Sequence, residues 1–86
     1  MNPIKVLLAD DHDVVRKGMK MLLEDEEGVL VIGEAADGAE AIDKVKILMP
    51  DVVILDLTMP KMTGIEAAAV ISQEYPSVKI LIFSMQ

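Results

Sequence analysis

The sequence predicts an α/β fold, a doubly wound parallel sheet with helices on both of its faces. Three observations lead there. Short apolar runs of strand length alternate with longer stretches of helical spacing, strand first, four strands to three helices. The runs are apolar almost throughout, as strands covered on both faces are. Each helical stretch is long enough to return the chain to a parallel neighbour.

The first strand is Ile4 to Ala9, IKVLLA, ending on Asp10 and Asp11, with His12 and Asp13 following. From Val14 the period changes: Val14, Val15, Gly18, Met19, Leu22 and Leu23 recur at helical spacing, while Arg16, Lys17, Lys20 and Glu24 face elsewhere. Asp13 is the expected N-cap and Gly28 the stop, with Glu24 to Glu27 as a solvated acidic end. Val29 to Ala35 is the second strand. Asp37 and Glu40 form a capping-box-like pair ahead of a helix with an apolar stripe of Ile42, Val45, Leu48 and Met49, ended by Pro50. Val52 to Leu55 is the third strand, closed by Asp56. Thr63 and Glu66 repeat the capping pattern, Ile65, Ala68, Ala69 and Ser72 share a helical face, and Tyr75-Pro76 stop it. Val78 to Phe83 is the fourth strand.

The chain has 86 residues, enough for one small domain, residues 1–86, near the lower limit for a core covered on two sides. Apolar residues make up 52% of it, with one Phe and one Tyr, so the core is built from Val, Ile, Leu, Met and Ala. Met19, Met21 and Met49 are expected as core filler. No apolar run reaches membrane-spanning length, and the first residues lack the pattern of a secretory leader, so a cytoplasmic protein with no membrane partner is expected. The absence of Cys rules out disulfides, zinc knuckles and thiol chemistry. A net charge of −7 argues against direct contact with a nucleic-acid backbone and suits a cation or a basic surface.

In such a sheet the first and third strands are neighbours, and both end in acids. Asp10, Asp11 and Asp56 are therefore expected to converge at the carboxyl edge, where open α/β sheets bind ligands. Carboxylates so close repel one another unless a cation intervenes, and Mg²⁺ is the natural hard ion for them. The competing reading is that each acid caps its own turn. His12, beside a helix start, is taken as polar surface because Mg²⁺ prefers oxygen.

The segment from Asp56 to Gly64, DLTMPKMTG, resembles the phosphoacceptor stretch of response-regulator receiver domains. Leu7 to His12, LLADDH, resembles their acidic first-strand end. Val31 to Ala35, Asp37-Gly38, Pro50 to Val53 and Ile80 to Ser84 also fit, colinear over the whole chain. The ADDH, VIGEA and Ser-Met features most resemble receivers that precede a helix-turn-helix DNA-binding domain. The resemblance implies a flavodoxin-like receiver fold and a switching module rather than an enzyme. Asp56 is then the nucleophile taking a phosphoryl group from a histidine kinase. Asp11 and Asp56, with the Thr58 carbonyl, hold Mg²⁺, and Asp10 assists through water. Ser84 is the switch hydroxyl, and Met59 and Met85 shape access to the pocket. DNA enters only through an output domain outside this chain.

Against that pattern, the chain lacks the family's fifth strand, its flanking helices and its fifth-strand Lys. The fourth strand is then an apolar edge, and self-association, element exchange or instability is expected. The alternative function is a phosphorylation-incompetent receiver fragment that acts only as an interaction or dimerisation module. A phosphohydrolase is disfavoured because Thr58 stands where its second Asp belongs. A flavin carrier is disfavoured because Asp10-Asp11 repel phosphate.

Overall fold

The computed structural model describes residues 2–84. Its elements run β1 (Ile4–Ala9), α1 (Asp13–Glu24), β2 (Val29–Ala35), α2 (Gly38–Leu48), β3 (Val52–Asp56), α3 (Gly64–Glu74) and β4 (Lys79–Phe83). The strands form one parallel sheet in the order β2-β1-β3-β4. The expected doubly wound fold is the observed one. The strand order reverses direction between β1 and β3, and that switch point is where the carboxyl edge opens into a crevice.

Each face of the sheet has its own core, because successive side chains of a strand point to opposite faces. Leu7, Ala9, Val53 and Leu55 meet Ala41 and Val45 of α2 and Ala67 and Ile71 of α3. On the other face Val6, Leu8 and Ile54 meet Met19 and Leu23 of α1. Leu7, Leu55, Val53, Val45 and Ile71 are fully buried, and each such side chain contributes about 1.5–3 kcal/mol.

The helix faces differ in part from the periodic reading. α1 has no fully buried residue. Val14 and Leu22, expected inside, lie outside with Met21, while Arg16 and Lys20 turn inward. α1 packs on the sheet through Met19 and Leu23, and Val14, Gly18 and Leu22 of its apolar stripe stay exposed. In α2 the inward face is Gly38, Ala41 and Val45, with Ile42 packed beside them, and Leu48 and Met49 are partly exposed. Pro50 explains that end: the residue before a proline is kept out of the right-handed helical region, and Met49 takes a φ of 45°. In α3, Ile65, Ala69 and Ser72 are exposed, whereas Gly64, Ala67, Ala68 and Ile71 face the sheet. Met19 is core filler as expected; Met21 and Met49 are not.

At the amino edge of the sheet one residue ties three strands. The Asp51 amide donates to the Lys5 carbonyl at 2.8 Å, and the Asp51 carbonyl accepts from the Lys79 amide at 3.0 Å. Its side-chain Oδ2 accepts from the Lys5 amide at 2.8 Å. The side chain thus satisfies an amide at the head of β1 that the ladder leaves over. Replacing Asp51 by Ala is expected to destabilise the domain by roughly 1 kcal/mol, measured as a lower urea midpoint at unchanged m-value.

Candidate functional site

The pairing of Ala9 with Leu55 across β1 and β3 fixes the site, since the next residue of each strand is an acid. Asp10 is held at the end of β1 by its amide, which donates to the Ala35 carbonyl of β2 at 3.0 Å. Asp56 closes β3 opposite Phe83 of β4. Both acids are buried, at 1% and 2% exposure, and they are the buried charged residues of the described chain. Asp11 is the neighbour of Asp10 on the loop, its side chain about one-third exposed. One donor atom from each of Asp10, Asp11, His12 and Asp56 falls within 4.8 Å of the others.

The local backbone is arranged around Asp56. The Leu57 amide donates to the Phe83 carbonyl at 2.7 Å, and the Gly64 amide returns to the Leu57 carbonyl at 3.0 Å. Gly64 packs so tightly that a Cβ there would sit 2.3 Å from the Asp56 carbonyl oxygen. Only glycine lets α3 begin this close to the strand end. Thr63 caps that helix: its Oγ1 accepts from the Glu66 amide at 3.2 Å, and Glu66 Oε1 accepts from the Thr63 amide at 3.0 Å. Met59, expected to shape access to the pocket, is buried in the core below the loop and anchors it. Met85 lies outside the described residues.

Thr58 sits two residues beyond Asp56, where its amide donates to Asp56 Oδ1 at 3.3 Å. Ser84 follows Phe83, the register partner of Asp56, and is exposed at the same edge of the sheet. The three acids, Thr58 and Ser84 therefore share one end of the sheet.

Two further residues join them that periodicity set aside. His12 turns its ring into the acid cluster: Nδ1 lies 3.0 Å from Asp10 Oδ1, 3.1 Å from Asp11 Oδ1 and 3.9 Å from Asp56 Oδ2. It also occupies the N-cap of α1, with Asp13 as the first helical residue, and its side chain makes no capping bond. Its adjacency to Asp10-Asp11 was the available signal. Arg16 reaches inward to the Asp10 carbonyl through Nη1, to Glu34 Oε1 through Nε at 2.9 Å and to Asp13 Oδ1 through Nη2 at 2.8 Å. It braces the end of β1 against β2 and α1. A groove lined by Arg16, Glu34, Glu40 and Lys44 lies to one side of the acids, and Glu34 already engages both of its cations.

The electrostatics are those of crowded anions. Burial pushes the Asp56 carboxyl above its usual range, and the charges of Asp10 and Asp11 push the same way, against the Thr58 amide and His12. The bond to Asp10 and then the charge of Asp11 raise His12 above 6.5. Asp10 Oδ2 is buried without a hydrogen-bond partner. An unsatisfied buried carboxylate oxygen costs about 1–3 kcal/mol or more, and a hard cation is the partner that fits three converging carboxylates. The residues present fit Mg²⁺.

Comparison with known proteins agrees with the fold. The response regulator receiver domain family matches residues 6–86. The oxygen regulatory protein NreC of Staphylococcus epidermidis is 48% identical over 83 residues, covering 95% of this chain and 38% of that protein. A crystal structure of a LuxR-family two-component response regulator from Aurantimonas superposes with a TM-score of 0.93 at 41% identity, covering 99% of this chain and 61% of that one. The CheX–CheY–BeF3–Mg complex from Borrelia burgdorferi contains a chain with TM-score 0.90 and 35% identity, covering 96% and 63% respectively. The chain spans 36–38% of the length of the curated relatives it matches. No helix of the described residues is long and apolar enough to cross a membrane.

Two outcomes follow from the charges. Because the Asp56 pKa is raised on folding, its contribution to stability is present only below the unfolded value and is lost as pH rises through the folded one. Asp56→Asn is therefore expected to raise the melting temperature at neutral pH in EDTA, by about 1 kcal/mol or roughly 4–8 °C, with the gain fading in acid where Asp56 is itself protonated. His12 obeys the same sign: its ion pairs stabilise the fold below about pH 6.5 and are lost as pH rises through its raised value. An NMR titration in EDTA should place its imidazolium above 6.5, and Asp10→Asn should bring it back down.

Proposed function

The chain belongs to the response regulator receiver domain family, and on that premise we propose that Asp56 is its phosphoacceptor. The single observation that carries this reading is the burial of Asp56 beside Asp10, with Asp10 Oδ2 left without a partner, at the switch point of the sheet. A capping role explains neither the burial nor the orphaned oxygen. Asp11, Asp56 and the Thr58 carbonyl would hold Mg²⁺, with Asp10 acting through a bound water. When bound, Mg²⁺ neutralises the repulsion between the carboxylates and an incoming phosphoryl group and orients its oxygens.

The residues of the chain do the rest. A carboxylate oxygen of Asp56 attacks phosphorus in line with the bond to a phosphohistidine nitrogen. That P–N bond breaks as the acyl phosphate forms, and the departing imidazole takes up a proton. The Thr58 amide holds Asp56 Oδ1 and leaves the other oxygen to react. Ser84, one residue past the partner of Asp56 on β4, donates its hydroxyl to the new phosphoryl oxygens. That bond exists only in the phosphorylated state, so it is a differential contact able to bias two conformations. The donor is a histidine kinase. Control of transcription, and DNA contact through an output domain, would belong to a polypeptide of the relatives' length. Leu81 and Ile82, exposed on β4, support the same strand as the place where copies of this chain associate.

Intact mass after incubation with acetyl phosphate and Mg²⁺ tests the reading. A gain of one phosphoryl group is expected, abolished by EDTA and by Asp56→Asn. A gain that survives in Asp56→Asn, or none in the parent protein, would overturn Asp56 as acceptor. The second outcome would favour a module that only binds partners.

A further inference from the structure

The acids at the carboxyl edge share their pocket with a nitrogen donor. We propose that His12 Nδ1 is a metal ligand alongside Asp11 and Asp56, with Asp10 acting through a bound water, making this a mixed oxygen and nitrogen site in which the imidazole strengthens the binding of first-row transition dications more than that of Mg²⁺. The inference rests on reading the pocket as a cation site, not on phosphoryl transfer.

Geometry is the first support. Two donors bound about 2.1 Å from one ion in adjacent octahedral positions lie about 3.0 Å apart, and in opposite positions about 4.2 Å apart. His12 Nδ1 stands 3.1 Å from Asp11 Oδ1 and 3.9 Å from Asp56 Oδ2. The first separation is an octahedral edge and the second falls just short of the opposite span, while the 3.0 Å to Asp10 Oδ1 is a hydrogen bond of the ring.

A second support is independent of the ring. Asp10 is buried and its Oδ2 has no hydrogen-bond partner. Oδ1 of the same carboxylate is already taken by the His12 amide at 2.8 Å. The carboxylate is therefore fixed with one oxygen uncommitted, free to accept from a water on the cation.

The amide bond also restrains His12 itself, since a residue pinned by its backbone beside the site needs little reordering to present its side chain. The ring is 60% exposed, which leaves Nε2–H facing water. On coordination Nδ1 gives its proton to solvent and its lone pair to the ion, and Nε2 keeps the remaining proton.

Ligand chemistry then sets the preference. Imidazole adds little for Mg²⁺, which takes oxygen, but its contribution rises along the series from Mn²⁺ to Ni²⁺. The effect of removing His12 should be graded by ion in that order. A mere counter-charge has no such grading.

The test is calorimetric titration of the untagged protein and of His12→Ala with MgCl2, MnCl2 and NiCl2. His12→Ala should lose about tenfold or more in Ni²⁺ affinity, less for Mn²⁺, and leave Mg²⁺ within about twofold. Electron spin-echo modulation of the Mn²⁺-loaded protein reads the bond directly, because His12 is the one histidine of the chain. Imidazole nitrogen coupling is expected in the parent and absent in the variant. Equal losses for all three ions, or Mn²⁺ bound without nitrogen coupling, would overturn the assignment. Binding of none of the ions would overturn the cation site together with it. Mg²⁺-dependent phosphorylation of a protein without nitrogen coupling would sink this inference alone.

Discussion

Two carboxylates are buried side by side because β1 and β3 are paired neighbours that end in register. Ala9 faces Leu55 across the ladder, and one residue further Asp10 and Asp56 leave the sheet together. Nothing in the hydrophobic cores requires acids there, and Asp56 lies above its ordinary pKa as a result. The surroundings offset that cost with whatever positive character lies within reach: the Thr58 amide on Asp56, the His12 amide and ring on Asp10, and Arg16 on the Asp10 carbonyl. The arrangement is a fold carrying local instability at the place where chemistry happens, as functional sites do.

The close seat of α3 belongs to the same constraint. With no side chain at Gly64, the helix starts against the Asp56 backbone, and Met59 pins the intervening loop into the core. Such a loop holds its acid still with a single long bond to the acid's own oxygens, from the Thr58 amide to Oδ1. That leaves Oδ2 for a ligand, and its burial distinguishes this Asp from one that only starts a turn.

Much of this was legible in the sequence, and the failures have physical reasons. Apolar runs and punctuating Pro and Gly identified all four strands, because strands covered on both faces are apolar almost throughout, and the parallel topology placed the first beside the third. The capping pairs at Asp37 and Thr63 were visible because they are local in sequence. Helix faces were less legible. In α3 the sheet selects small residues, so Ala67 and Gly64 go in and the larger Ile65 stays out, against simple hydrophobic ranking. In α1 the apolar stripe packs through Met19 and Leu23 and leaves Val14 and Leu22 exposed. Arg16 was missed because its partner Glu34 comes from another segment of the chain, and His12 because the direction of its ring, toward the adjacent Asp10 and Asp11, is not read from adjacency alone. Spacing along one helix does not report contacts of that kind.

The tie at Asp51 has a mechanical consequence. It joins the starts of β1, β3 and β4 through bonds to Lys5 and Lys79, at the end of the sheet away from the acids. Strands held level at the start deliver their last residues level at the far end, so Ala9 faces Leu55 and Asp56 faces Phe83. A slip of one residue at the amino edge would turn the side chains of a strand to the opposite face and scatter the carboxylates. The tie at Asp51 is thus a gauge, set at one edge of the sheet, for the acid cluster at the other.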